Sequence, residues 1–469
     1  MSLILDETSD IVNKSQLSTV VRYVDENCEV QERFLHFTDM SSDRSSDGLL
    51  QHVKQLLMNF HMEGKLVAQT YDGAAVMAGH QNGLNKKVRD VEPSAIFVHC
   101  YSHQLNLTLQ QSAKLIPKCT LFFQTLSSMA SFFSRSPLRT DALQDFVQKR
   151  LPRVAPTRWN FTSRLVNTVM ENYENLKTFF QHVLENSQNW EDDCIDRCLG
   201  YFAFLDKFQT RFLITVFSRI FSLTDTLFEI LQSKGMDILY CGQKIQELIE
   251  NVKKIKESDF ELIFQESFVL TDASFEMRRT ETPDLYKHLF QEITDNILTQ
   301  LTSRFKTISE LEFFNLLNSS FFSKHNKQFP ETALKSLDKH YGRFFDVIRL
   351  KNELIAIYCM SDFDRKSVLD ILKSMHDQKL YLGMPELFKL AKLVVSIPSS
   401  SASAERSFSA LKRIHTYCRS TQKQNRPSSL SLMAIEKSLL VLLQKKPAFF
   451  DNVIENFVKK NRRVDFLYR

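Results

Sequence analysis

The rhythm of apolar and polar positions changes near residue 110. Ahead of that point the apolar runs are short and rich in β-branched residues. Ser2–Glu7, Leu17–Val24 and Val30–Phe37 read as three strands, and Asp25–Cys28 as the turn that folds the last two into a meander. Asp47–Met62 instead sets Leu49, Leu50, Val53, Leu56, Leu57 and Phe60 at helical spacing. Leu66–Tyr71 reads as a strand that stops at the turn signal Asp72-Gly73. His80–Val91 predicts a second helix, and Ala95–His99 a buried strand ending at Cys100. From His103 to about Val395 almost every pattern is helical, as in Leu105–Leu115, Cys119–Phe133, Leu165–Glu185, Ile214–Gln232 and Leu350–Ile357. Ser396–Ser403 breaks the rhythm. A last helical segment starts at Ala402, passes a polar gap at Ser420–Ser429, and reaches Val441 and a basic end.

Three strands, helix, strand, helix, strand is the element order of a ribonuclease H-like fold. The helical block that follows is too long for a loop and must bury its own core. It has no fixed period, which argues against a solenoid. The expected fold class is therefore an α/β ribonuclease H-like core interrupted by a large all-α insertion, predominantly helical overall. The expected segments are 1–110 for the first part of the core, 111–395 for the insertion, and 396–469 for a returning core helix and a C-terminal segment.

Composition sharpens this in a few places. Glycine, at 10 residues, and proline, at 11, are scarce in a chain of 469, as suits long helices. The 39 phenylalanines read as core filling rather than a stacking surface. A formal charge of +5 permits nucleic-acid binding without arguing for it, because phosphate tracking needs local basic stripes. The eight cysteines contain no C-x-x-C pair, and Cys194 with Cys198 has no partner pair downstream. Ordinary helix cysteines are therefore expected rather than a zinc finger, nothing suggests a disulfide framework, and a reducing compartment is expected. No run reaches the roughly 18 apolar residues of a membrane span. The N-terminus lacks the form of a signal peptide. Cytosol or nucleus is expected, with no membrane partner.

Three carboxylates invite a chemical reading. Asp6 ends the first strand, Asp72 ends the fourth, and Glu405 opens a late helix. In a ribonuclease H-like sheet the first and fourth strands are neighbours, so Asp6 and Asp72 fall side by side. Converging carboxylates suit hard cations such as Mg²⁺ or Mn²⁺, and a pair of such ions clamps the attacking and leaving oxygens of a phosphodiester displacement. The plainer reading stays open, since Asp is common at strand ends and in Asp-Gly turns. Around Glu405, Ser399–Ser401 are N-cap candidates and Ala404, Phe408 and Leu411 form an apolar stripe. Glu405 lies about 100° round from Ala404, flanking that stripe. It is equally a first-turn acid of the kind a helix dipole favours. Lys412, Arg413, Arg419, Lys423 and Arg426 follow, with no acid among residues 406–426, and Lys459, Lys460, Arg462 and Arg463 cluster near the end. Such runs suit phosphates and solvated helix faces equally well.

The segment Ser401-Ala-Ser-Ala-Glu-Arg-Ser-Phe-Ser-Ala-Leu411 resembles the hallmark of the hAT transposase superfamily, and more closely the transposase-derived regions of zinc-finger MYM-type proteins. Other stretches are similar to the same family in the same order: Leu3–Asp10, Tyr71–Ala75, Val98–Leu107 with its Cys-x-x-His, Thr157-Arg-Trp159, and Asn425-Arg426 with Met433–Glu436. The resemblance covers essentially the whole chain. It implies that Asp6, Asp72 and Glu405 are the acidic triad that binds Mg²⁺ or Mn²⁺. It also implies that Cys100 and His103 lie beside the site, His103 nearer the scissile phosphate. Trp159 would stack on an unpaired base and Arg158 would contact backbone. Arg406, Lys412 and Arg413 would complete the DNA contacts, and the C-terminal segment would join two copies. Without the family, Cys100 with His103 reads as a core pair or half a zinc site, and Trp159 as a core residue.

Family members carry a DNA-binding module ahead of the first strand, whereas Met1 lies five residues before Asp6. The expectation is a nuclear hAT transposase-derived protein that binds DNA and dimerises, with divalent-metal-dependent strand cleavage and transfer if the triad works. The rival is a domesticated, non-catalytic, dimerising protein of transcription or chromatin.

Overall fold

Five strands make one mixed sheet of order β3-β2-β1-β4-β5: β1 (Ser2–Ser9), β2 (Ser15–Val24), β3 (Val30–Asp39), β4 (Ala68–Tyr71) and β5 (Ile96–His99). The first three form the expected antiparallel meander, and β4 and β5 run parallel to β1. The computed structural model describes residues 1–459, apart from 80, 148–149, 153–158, 234, 270–281, 306–307 and 364–365. At the β1–β2 hairpin the Asp10 carboxylate accepts the backbone N–H groups of Val12 and Lys14, both at 2.9 Å, and Asn13 takes the left-handed conformation that closes the turn.

Alternation along β1 sends its side chains to two different cores. Leu3 and Leu5 join Leu17, Val21 and Tyr71 under two helices, α1 (Ser46–Asn59) through Leu49, Val53, Leu56 and Leu57, and α2 (Leu84–Val91) through Leu84 and Val88. Ile4 faces the other way, with Val20, Phe34 and Phe37. That second face is covered from the far end of the chain. Helix α3 (Pro385–Ser396) leads to α4 (Ala402–Ile414), which brings Ala404, Phe408 and Leu411 onto it. α5 (Asn425–Ile435), α6 (Lys437–Gln444) and α7 (Phe449–Val458) follow. Residues Met1–His99 and Leu372–Arg469 thus make one compact unit.

Cys100–Ile371 make a second unit, and within its described residues every regular element is a helix. Its longest helix, Phe208–Gln232, buries residues on all sides, among them Phe208, Phe212, Phe217, Ile220 and Phe221, which makes it the axis of that unit. Aromatic rings tile the space around it, with Phe217 4.7 Å from Phe123 and Phe208 4.9 Å from Tyr286. The abundance of phenylalanine is accounted for by this packing. The helix expected over 165–185 is two helices, Trp159–Glu171 and Tyr173–Glu185, parted at Asn172, whose side chain bonds back to the Thr168 carbonyl. All eight cysteines are free. No described helix is long and apolar enough to cross a membrane.

One pair of histidines couples the first unit to pH. His52 of α1 and His36 of β3 place their rings 5.4 Å apart, and Thr19 Oγ1 lies 3.1 Å from His52 Nε2. Burial, with the neighbouring His36, holds the His52 imidazole down at about 4, and burial lowers His36 as well. In the unfolded chain both return to about 6.5. Between those values the unfolded state binds more protons, so the contribution is complete above pH 6.5 and is lost as pH falls toward 4. Denaturant unfolding followed across that window should show stability falling with pH, and His52→Gln should flatten the slope. An unchanged slope in the variant would show that His52 stays solvated.

Candidate functional site

All three carboxylates belong to the first unit. Asp6 lies within β1, not at its end, because pairing with β2 continues to Ser9 while pairing with β4 stops at Ile4–Thr70. Two residues further along each strand from that last pair come Asp6 and Asp72, so both stand where the parallel ladder ends. Asp6 is directly opposite Ser18, and the Ser18 hydroxyl lies 2.7 Å from that of Ser407 on α4. Residues directly opposite in an antiparallel pair share a face. Asp6 therefore faces α4. Thr70, two residues before Asp72, donates to the Pro398 carbonyl at 3.2 Å, so the end of β4 opens to the same side.

Three sets of contacts fix how α4 lies on that face. At its start, Ser403 donates to Glu32 of β3, and Arg406 donates to Ser403 Oγ at 2.6 Å. In the middle, Ser407 meets Ser18. Past its end, His415 Nδ1 lies 3.5 Å from Asp10 Oδ2. Ser403 and Arg406 look toward β3. Glu405 lies about 200° round the helix from Ser403, on the opposite flank of α4. Behind this sits a buried arginine. Arg22 of β2 donates through Nε and Nη2 to the Val395 carbonyl at the end of α3, at 3.0 and 2.9 Å, and its Nη1 pairs with Glu32 at 2.7 Å.

Asp6, Asp72 and Glu405 are all half-buried. Asp6 accepts its neighbour's amide, that of Glu7, at 2.9 Å, and Asp72 accepts that of Ala74 at 3.2 Å. As donors the three match Mg²⁺ or Mn²⁺ in kind, being hard oxygens. As an arrangement they do not yet match it: among the described residues no three acidic, histidine or cysteine side chains stand together as a group that would hold a metal ion.

The remaining expected residues divide by location. Arg406 is engaged by Ser403 and lies 4.0 Å from Glu32, while Lys412 and Arg413 are exposed on the last turn of α4. Cys100 and His103 belong to the second unit, Cys100 buried at the cap of the helix Tyr101–Lys114 and His103 half-buried on its first turn. Trp159 begins the helix Trp159–Glu171, but its side chain, like the whole of Arg158, lies outside the described residues. So do Lys460, Arg462 and Arg463. Sequence patterns give no notice of Glu32 or Ser403 at this site. For Arg22 the one available signal is a charged residue inside a β-branched run.

Two family models match the chain. Residues 1–83 match "ZMYM1/FAM200, RNase-like domain", and residues 356–439 match the hAT family C-terminal dimerisation region. The human "52 kDa repressor of the inhibitor of the protein kinase" is 21% identical over 92% of this chain and 61% of its own length. Its mouse counterpart is 20% identical over 92% and 62%. The bovine "General transcription factor II-I repeat domain-containing protein 2" is 33% identical over 19% of this chain and 9% of its own length. The chain thus spans about three-fifths of the length of the repressors it matches.

The clamp under α4 is testable. Glu32→Gln keeps the shape but leaves Arg22, whose side chain is 3% exposed, without its counter-charge. We expect a loss of about 3 kcal/mol in urea denaturation. A loss under about 0.5 kcal/mol, the scale of an exposed pair, would mean that the Val395 carbonyl alone holds the guanidinium.

Proposed function

On the premise that the chain is related to the hAT superfamily at both ends, we propose that it is a transposase-derived nuclear protein that binds DNA and joins to a second copy of itself through its C-terminal helices. The observation that carries this is the apolar surface of those helices. Leu442 of α6 is 59% exposed and Phe450 of α7 is 56% exposed, with Val441, Val453, Phe457 and Val458 also open to solvent. So much apolar surface on consecutive amphipathic helices marks an interaction site. It adjoins the matched dimerisation region, which ends at residue 439. The relatives that match over most of this chain are named as repressors, and for this chain the corresponding role would be that of a DNA-bound, self-associating regulator.

The sheet is read here as ribonuclease H-like. Its order β3-β2-β1-β4-β5, with an antiparallel meander and two parallel strands on the other side of β1, supports that reading. A second reading is divalent-metal-dependent DNA strand cleavage, supported by Asp6 and Asp72 standing where the β1–β4 ladder ends and by Asp6 facing the helix that carries Glu405. When bound there, Mg²⁺ or Mn²⁺ would offset charge on a phosphodiester under attack.

Light scattering on the purified chain should report a dimer, and Leu442→Asp combined with Phe450→Asp should return a folded monomer. A parent that is monomeric at micromolar concentration would rule out self-association through this face. For the second reading, Mn²⁺-dependent nicking of plasmid DNA should disappear in Asp72→Asn. Nicking that survives the substitution would remove Asp72 from the chemistry.

A further inference from the structure

Between α4 and α5 the chain makes a short loop whose two ends are pinned to the β1–β2 hairpin. His415, buried, places Nδ1 3.5 Å from Asp10 Oδ2 and Nε2 3.4 Å from the Ser420 carbonyl. Gln424 exchanges two side-chain hydrogen bonds with Gln16 of β2, at 3.0 and 2.7 Å, and donates to the Phe37 carbonyl at 3.1 Å. Within the loop, Arg419 N–H donates to Thr416, Ser420 to Tyr417 and Gln422 to Arg419. What projects from this frame is one aromatic ring and several cations. Tyr417 is 83% exposed. Arg419, Lys423 and, on the adjoining helix ends, Lys412, Arg413 and Arg426 are exposed too, and none of the five makes an ion pair among the described residues.

A helix C-terminus accounts for Lys412 and Arg413 on dipole grounds. It does not account for Arg419, Lys423 and Arg426, nor for a tyrosine held out in water on a fixed loop. We propose that this loop is a landing surface for single-stranded DNA, with Tyr417 stacking on an unpaired base and the surrounding cations holding the flanking phosphates. The proposal rests on the DNA-binding reading above and gives it a place. Base stacking needs the open face of a ring, which an intact duplex does not offer, and a ring on an anchored loop loses little freedom when it is covered. Asp10 directly follows β1, four residues past Asp6 in the direction in which the β1–β4 ladder ends. A strand on the loop therefore lies at the carboxylate end of the sheet.

The test uses the full chain and two labelled probes, a short oligothymidylate and a duplex of equal length, read by fluorescence anisotropy over a salt series. Tyr417→Ala should weaken single-strand binding on the order of tenfold, leave duplex binding unmoved, and keep the salt slope. Tyr417→Phe should restore it. Arg419→Gln with Lys423→Gln should lower the salt slope by about 0.7 for each phosphate no longer neutralised. Equal losses on both probes, or failure of Phe to restore binding, would overturn stacking by Tyr417. A parent that binds DNA while all variants match it would overturn this surface and leave the DNA-binding reading standing. A parent that binds neither probe would overturn both. Unchanged thermal midpoints in the variants establish that the losses are local.

Discussion

Arg22 has to be buried, and everything at the candidate site is arranged around that fact. A guanidinium taken out of water needs both a counter-charge and hydrogen-bond acceptors, or it costs several kcal/mol. Glu32 on the next strand supplies the first, and the Val395 carbonyl, free because it lies at the end of a helix, supplies the second. The arginine is thus satisfied only when α3 ends where it does. That end point sets the path of the next five residues, through the Pro398 carbonyl on Thr70, to the first turn of α4. Glu32 then serves twice, since its other oxygen accepts from Ser403.

This ties the position of Glu405 to groups far from it in the chain. Charge holds α4 at its start, two serine hydroxyls hold it in the middle, and the buried His415–Asp10 contact holds the segment past its end. A slide of one residue moves a helix by about 1.5 Å and turns it by about 100°. Such a slide would break the Ser407–Ser18 contact and the Ser403–Glu32 contact together, so the register of α4 is specified more sharply than its apolar stripe alone would specify it. Ala404, Phe408 and Leu411 supply the adhesion and the polar contacts supply the register.

Much of this was legible in the chain and some of it was not, for physical reasons. The meander and the two following strands carry short apolar runs, β-branched in places, bounded by turn signals, so their existence and order along the chain could be read directly. The extent of β1 could not, because where a strand stops depends on which neighbour is still pairing with it, and β2 continues after β4 has ended. The break at Asn172 was hidden because the apolar period runs through it unbroken. Glu405 could be placed beside a buried stripe, but its direction depends on Ser403 and Arg406 reaching Glu32, which is hundreds of residues away in sequence. A pairing of that kind leaves no local trace. The buried Arg22 left only its own oddity, a charge amid valines and threonines.

The same logic separates the two readings of the site. A metal centre asks three carboxylates to converge, which their mutual repulsion opposes until a cation arrives. A DNA-binding regulator asks only that the sheet end be rigid and that cations lie beside it. The pinned loop and the clamp under α4 are what that reading would draw on. For the first reading, Asp6, Asp72 and Glu405 all belong to the first unit, but among the described residues they do not form one metal-holding group. Either reading draws on the same frame, because the buried contacts go to the helix that carries Glu405 and to the loop that follows it.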